Sequence, residues 1–378
     1  MIFPTDPAHI VLVALLLLMA FIQGWYWLHY YRKSAFNIVP ETEKQHDLPP
    51  LSVVICARNE AENLEAFLPS VLEQDYPLYE VVVVNDCSED NTDEVLGDML
   101  KRYPHLKVSM IQKDTYFQHS KKLAMLIGIK AAGNDLLVFT DADCRPASPF
   151  WLREVAAAAS DKRDIIIGYG PYMPEKGLLN RYIRFETMFA AMQYFGMAMA
   201  GKPYMGVGRN LSYRRSFFFE KGGFGPHNHI MSGDDDLFVN SNATAENCSL
   251  MLTHNSFTLS VAEKSVKSWV KQKRRHLTAA AYFKKTDKAR LFMEPFSRVS
   301  YYGLLVALLV MLVSWPVVVF IALARMVMRA VILRKASVTF NEPRLWFISL
   351  FFDILAPFIT GFLYLTTKRG GQSRKTWK

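Results

Sequence analysis

With 378 residues, the chain is long enough for one catalytic domain with a well-filled core and further elements around it. Hydrophobic residues make up 51% and aromatic residues 13%, concentrated in a few apolar runs. Four widely spaced cysteines, Cys56, Cys87, Cys144 and Cys248, form no CxxC pair and argue against a zinc site or disulfide framework, while a net charge of +9 without aromatics interleaved on a basic face argues against nucleic-acid binding.

Residues 10–27 (IVLVALLLLMAFIQGWYW) carry no charged side chain. At about 1.5 Å per residue, roughly 20 such residues cross a hydrocarbon layer of ~30 Å. A cleaved signal peptide needs a basic stretch ahead of its apolar run, and the first Lys or Arg here is Arg32. Residues 1–32 therefore read as a retained anchor. The chain leaves it through Arg32 and Lys33, and because positive charge stays cytoplasmic, the domain that follows is expected on the cytoplasmic side, in a bacterial plasma membrane.

From residue 48 to 285 the pattern alternates. β-branched runs at 51–55, 81–84 and 136–140, with a weaker one at 165–167, predict strands. Helical stretches at 61–73, 92–102 and 121–132 stand between them. That rhythm predicts an α/β fold, doubly wound, with a mostly parallel sheet and ligands at the carboxyl ends of its strands. Those ends carry Cys56-Ala57-Arg58-Asn59-Glu60, then Asn85-Asp86, then Asp141-Ala142-Asp143. One Asp behind one strand is most simply a helix cap or turn residue. Acids or amides behind three strands in chain order point to a ligand instead. Asp141 and Asp143 should emerge together at a sheet edge, where two like charges are costly unless a cation neutralises them. Hard oxygen donors suit Mg2+ or Mn2+, ions that bridge carboxylates to diphosphate oxygens.

Residues 178–199 (LLNRYIRFETMFAAMQYFGMAM) fit either an interfacial helix or an ordinary core helix. His227 and His229 read as loop histidines rather than metal ligands. Three consecutive acids, Asp234, Asp235 and Asp236, exceed what a helix N-cap requires. Crowding should raise the pKa of one of them, which suits a base working near neutrality. Apolar runs return at 301–324 and 346–365, inside a membrane region spanning 298–366. They give three spans in all, or four if the first folds through Pro316 as a hairpin. Arg325, Arg329, Arg334 and Lys335 read as a basic loop, and 367–378 as a basic cytoplasmic tail.

Taken together, residues 56–60, Asn85-Asp86, Lys121, Asp141-Ala142-Asp143, Asp234-Asp235-Asp236 and Gln272-Lys273-Arg274-Arg275 resemble the family 2 glycosyltransferases of GT-A fold, over roughly residues 50–280. The resemblance implies a nucleotide-sugar donor. It gives Ala57, Arg58, Asn59, Glu60 and Asp86 to the nucleotide base and ribose, and puts Lys121 near the diphosphate or sugar. Asp141 then supports the sugar-nucleotide and Asp143 ligates the metal. Gly206-Val207-Gly208-Arg209-Asn210 resembles the segment below the sugar, where Arg209 or Asn210 is the candidate ligand and glycines let the backbone approach closely.

The family usually has Glu-Asp where this chain has three Asp. Counting back from Asn247 makes Asp236 the catalytic base with Asp235 in the Glu position, whereas counting from Gly233 favours Asp235. Gln272 to His276 resembles the QxxRW motif with His276 in place of Trp, so Arg275 faces the diphosphate, Gln272 shapes the acceptor entrance, and acceptor identity is left open. Asp235-Asp236-Leu237-Phe238 together with this motif looks most like the ceramide-glucosyltransferase branch, implying a lipid or lipid-linked acceptor at the membrane. A processive polysaccharide synthase is the alternative within the class; the few spans and His276 argue against it. A non-catalytic membrane scaffold is the alternative outside it, against which every expected carboxylate is present.

Overall fold

The computed structural model describes residues 6–37, 48–112, 120–160, 162–227, 230 and 233–367. The chain divides into two compact units. One holds the described residues of 48–184 with Gly201–Tyr282, the other 6–37 with Phe185–Ala200 and Phe283–Thr367.

The first unit is the α/β domain. Its strands are β1 Leu51–Ala57, β2 Tyr79–Asp86, β3 Leu106–Ile111, β4 Leu136–Asp141, β5 Cys144–Pro146, β6 Ile165–Ile167, β7 Leu211–Arg214, β8 Cys248–Leu250 and β9 Thr258–Ser260. Seven of them form one sheet in the order β3-β2-β1-β4-β7-β6-β8, and β5 pairs with β9. β3, β2, β1 and β4 run parallel, while β7 is antiparallel to both β4 and β6.

The continuous β-branched runs of β1 and β2 are explained by burial on both faces, which parallel strands covered by helices require. The crossover helices are Ala61–Leu72, Thr92–Arg102 and Lys121–Ala131. The last packs so closely that a Cβ on Gly128 would stand 2.5 Å from Val54 Cγ1. β3 was not anticipated. As an edge strand it is only part-buried and alternates Leu106, Lys107, Val108, Ser109, so no apolar run announces it. The chain steps from β1 outward to β2 and β3, then returns to place β4 on the other side of β1. A crevice opens at such a reversal. Register puts Cys56 opposite Asp141 and Ala57 opposite Asn85, so the three predicted ends share one sheet edge.

In the helical unit, Pro7–Ala35, Trp315–Thr339 and Trp346–Thr366 are long and apolar enough to cross a membrane. The apolar run 301–324 is not one helix. Lys285–Val310 ends in a turn in which Leu312 (φ +54°) and Ser314 (φ +46°) are left-handed, and Trp315–Thr339 begins with Pro316 in its first turn. The run breaks at this turn, and of the two helices it joins only Trp315–Thr339 is long and apolar enough to cross a membrane, which leaves three candidate spans among the described residues. Arg325, Arg329, Arg334 and Lys335 are corrected from a loop to the interior of Trp315–Thr339. Arg325 and Arg329 are buried there: Asp353 pairs with Arg329, and the neutral amide of Gln23 accepts from Arg325. Leu178–Met199 is one helix whose Tyr182, Phe185, Met188, Met192, Phe195 and Met197 are all buried, as a core helix requires. His229, Ser232 and the basic tail beyond Thr367 lie outside the described residues.

Candidate active site

The loops that follow β1 and β2 are cross-linked. Asn59 adopts φ +53°, a conformation Asn tolerates, and its N–H donates to Ser88 Oγ at 2.9 Å while its Oδ1 accepts from Glu89 N at 2.7 Å. The buried Glu60 donates its N–H to Thr92 Oγ1 at 3.0 Å and accepts from Asn63 Nδ2 at 2.6 Å. Arg58 Nη1 lies 3.7 Å from Asp86 Oδ2, a carboxylate with no exposed surface. Ala57 is fully buried in β1 and offers only its backbone. A cavity of about 390 Å³ opens beside Asn85, Cys87, Ser88, Met110 and Gln112, within the size range of small-molecule sites.

At the end of β4, Lys121 Nζ donates to Asp141 Oδ1 at 2.7 Å and stands 3.8 Å from Asp234 Oδ2. One ammonium therefore joins the acid behind β4 to the Asp cluster nearly a hundred residues later. Burial pushes the Asp141 carboxyl up, but Lys121, with Arg209 and Arg275 further away, outweighs it and holds Asp141 below the ordinary carboxylate range. Among the described residues, Asp143 has no such cation in contact. Burial first, and the Asp141 charge second, raise it. Donor atoms of Asp141, Asp143 and Cys144 lie within 4.8 Å of one another, and Ser260 Oγ is 3.4 Å from Asp143 Oδ2. The two carboxylates fit a hard divalent cation. Cys144 does not add a thiolate, because burial and then the Asp143 charge push its thiol well up.

The Asp cluster divides its labour. Asp235 caps the helix Asp236–Asn242. Its Oδ1 accepts from Asp236 N at 2.8 Å and its Oδ2 from Gly208 N at 2.6 Å, so both oxygens are committed. Gly208 is required there: a Cβ would sit 2.8 Å from Asp235 Oδ2. Asp234 faces Lys121. Asp236 is half-buried and, among the described residues, makes no side-chain hydrogen bond. Burial, followed by the charges of Asp235 and Asp234, raises its carboxyl well above the usual range.

Arg209 donates through Nε to Gly170 O at 2.8 Å and lies over the Tyr172 ring at 4.4 Å, and its charge acts on both Asp141 and Asp143. Asn210, expected beside it as a sugar ligand, is corrected. It has no exposed surface, its Nδ2 donates to Tyr169 O and Ser256 O at 2.7 Å each, and its Oδ1 accepts from Trp151 Nε1 at 3.2 Å. Both amide protons are spent on the framework. Gln272, Arg275 and His276 lie on the helix Val266–Ala280, which Trp269 anchors edge-on to Tyr182 with ring centroids 5.6 Å apart. Gln272 is half-buried, Arg275 and His276 exposed. Arg275 acts electrostatically on Asp141, and Lys273 on Asp236.

One residue escaped sequence reasoning. Lys122, not singled out by the sequence, is buried and donates to His227 O at 2.8 Å and Ile230 O at 2.7 Å. Its signal was position: Lys122 stands on the same helix face as the buried Met125 and Ile129.

A doubly wound sheet with four parallel strands, an antiparallel extension and acids at the reversal point defines a domain of GT-A fold. Residues 52–221 match Glycosyl transferase family 2, and the chain carries a family 2 glycosyltransferase domain. It is 29% identical over 212 residues to the glycosyltransferase AglE of Haloferax volcanii, covering 55% of this chain and 66% of that protein. It is 29% identical over 220 residues to the probable glycosyltransferase YdaM of Bacillus subtilis, covering 57% of this chain and 52% of the relative. The matched stretch thus spans between half and two thirds of these relatives' lengths. The same fold occurs in the mannosyltransferase PcManGT from Pyrobaculum calidifontis, solved with GDP-Man and Mn2+, at 16% identity and a TM-score of 0.58, over 92% of this chain and 98% of the other.

Proposed function

We propose that the chain is a metal-dependent inverting glycosyltransferase. It moves one sugar from a UDP- or GDP-sugar to a lipid or lipid-linked acceptor. The observation that carries the reading is the Lys121 bridge, which gathers Asp141 and Asp234 into one charged site at the carboxyl end of the parallel strands. The three helices able to cross a membrane, in the same chain, support an integral membrane protein with a lipid acceptor, and Arg32 and Lys33 after the first of them support a cytoplasmic catalytic domain.

In this reading the Arg58–Asp86 ledge takes the base and ribose. Lys121 holds Asp141 ionised beneath the sugar-nucleotide. Asp143, with Asp141, would hold a Mg2+ or Mn2+ ion, which would supply positive charge against the diphosphate leaving group. Arg209 and Arg275 add fixed positive charge on the same side. Asp236 takes the proton of the acceptor hydroxyl as its oxygen attacks the anomeric carbon. Asp235 is a positioning residue: its two oxygens fix the start of the helix that carries Asp236.

Membranes containing the protein should transfer label from a panel of UDP- and GDP-sugars to lipid extract only with Mg2+ or Mn2+ present. Asp143→Ala should abolish transfer, and full activity in EDTA would remove the metal from the mechanism. Asp236→Asn should slow turnover by about 10²–10⁴-fold while donor binding survives. A fully active variant returns the base to Asp235 or takes it out of the cluster.

A further inference from the structure

The helical unit has a polar layer that transfer chemistry does not use. Arg298 is clasped by Glu294 and donates to Asp353 Oδ1 at 2.8 Å. Asp353 Oδ2 pairs with Arg329. Arg329 Nη1 also donates to Tyr302 Oη at 2.7 Å. Arg325 Nη1 donates to the same phenol oxygen at 3.1 Å and its Nη2 to Gln23 Oε1 at 2.8 Å. Arg298, Arg325, Arg329, Glu294 and Asp353 are all at least 94% buried, with exposures of 3%, 6%, 4%, 2% and 0%.

Among the described residues, Arg298 and Arg329 take up the carboxylates of Glu294 and Asp353. Among the described residues Arg325 has no carboxylate partner. Both carboxylates are taken by Arg298 and Arg329, and what Arg325 has instead is neutral: an amide oxygen, a phenol, and the Tyr301 ring 4.4 Å below its guanidinium. The Nε of Arg325 and the Nε of Arg329 are buried with no hydrogen-bond partner. Two cations that converge on a single phenol and keep unused donors are poorly satisfied in a low-dielectric interior. Planar guanidiniums with spare N–H groups match the oxygens of a phosphate. On the helix that carries Arg325 and Arg329, the side chains of Phe320, Leu323, Met326, Val327 and Val331 are exposed. A free anion in water gains nothing from such a surface, whereas an anion on a hydrocarbon chain does.

We propose that Arg325 and Arg329 bind the phosphate of a lipid phosphomonoester, with Tyr302 holding the two guanidiniums when the lipid is absent. The inference rests on the helical unit lying in a membrane and is independent of the transfer reaction, so binding alone tests it. The full chain in detergent micelles is titrated with phosphatidic acid, with chain-matched diacylglycerol, and with inorganic phosphate. Bound lipid is counted by native mass spectrometry. Phosphatidic acid should saturate one site at least tenfold more tightly than either control, Arg325→Gln should weaken it at least tenfold, and Arg325→Lys should restore part of the loss. Tyr302→Phe removes the competing acceptor and should tighten binding several-fold, a direction that damage to the bundle does not produce.

Three results would overturn the proposal. Diacylglycerol binding as tightly assigns the affinity to the chains alone. Inorganic phosphate binding as tightly removes the lipid. Unchanged phosphatidic acid binding in both Arg325→Gln and Tyr302→Phe makes the layer a structural ion network only.

Discussion

Asn210→Leu separates a framework residue from a sugar ligand. Leucine keeps the approximate volume but removes both amide protons and the acceptor, leaving Tyr169 O, Ser256 O and Trp151 Nε1 without their partner in a site with no exposed surface. Each buried group left unsatisfied costs about 1–3 kcal/mol. Three such groups, with partial relaxation, come to roughly 3–6 kcal/mol. That is a large fraction of the ~5–15 kcal/mol that holds a domain together. For a unit of this size, about 2–4 °C per kcal/mol predicts a melting temperature lowered by roughly 6–24 °C. The assay is thermal unfolding of the purified chain followed by tryptophan fluorescence, with donor KM measured well below the transition. The variant should melt early and bind donor normally. An unchanged melting temperature with a raised KM would refute the framework argument and return Asn210 to the sugar.

The pH profile carries its own sign. A base acts only when ionised, so the rate must fall as pH drops through the pKa of Asp236. Burial, then Asp235 and Asp234, hold that pKa above the ordinary carboxylate range, so the acid limb of kcat should lie well above pH ~4. Asp234→Asn removes one repelling charge and should move the limb to lower pH; a limb that moves up, or stays, excludes Asp236 as the group titrating. Gly208→Ala pushes a Cβ against Asp235 Oδ2 and weakens the cap, so it should cost about 1 kcal/mol of stability and lower kcat more than donor affinity. Wild-type kcat in that variant would show that Asp236 does not depend on the cap. Lys122→Met removes the ammonium from His227 O and Ile230 O, and hydrogen exchange should quicken in the segment leading to Asp234 without change in the helix Thr92–Arg102. Identical exchange in both proteins would mean that Lys122 holds nothing.

Much of this molecule is legible in one dimension. The buried runs of β1, β2 and β4 are apolar along most of their length because helices cover both faces, and that pattern exposes the parallel sheet and the acids behind it. β3 escaped because an edge strand buries little and so has no apolar run. Asp141, Asp143 and the Asp cluster were visible as residue types in excess of what caps and turns require. Their division of labour was not, because hydrogen-bond commitment depends on what the chain brings opposite each oxygen. Gly208 meets Asp235, 27 positions further along the chain, and the sequence between them says nothing of it.

Charges show the boundary most clearly. Nothing in the sequence singles out Lys122 beside Lys121, and Arg325 stands in an apparent basic loop, since Lys and Arg are almost never fully buried without partners. The tertiary fold supplies those partners: two carbonyl oxygens for Lys122, and an amide, a phenol and an aromatic ring for Arg325. Sequence alone determined the alternation of strands and helices, the apolar helices and the identity of the acids, because these follow from local pattern and side-chain chemistry. Only the tertiary structure decided which acid keeps an uncommitted carboxylate, which amide is framework, and where the buried cations point, because each of these depends on partners distant in the chain.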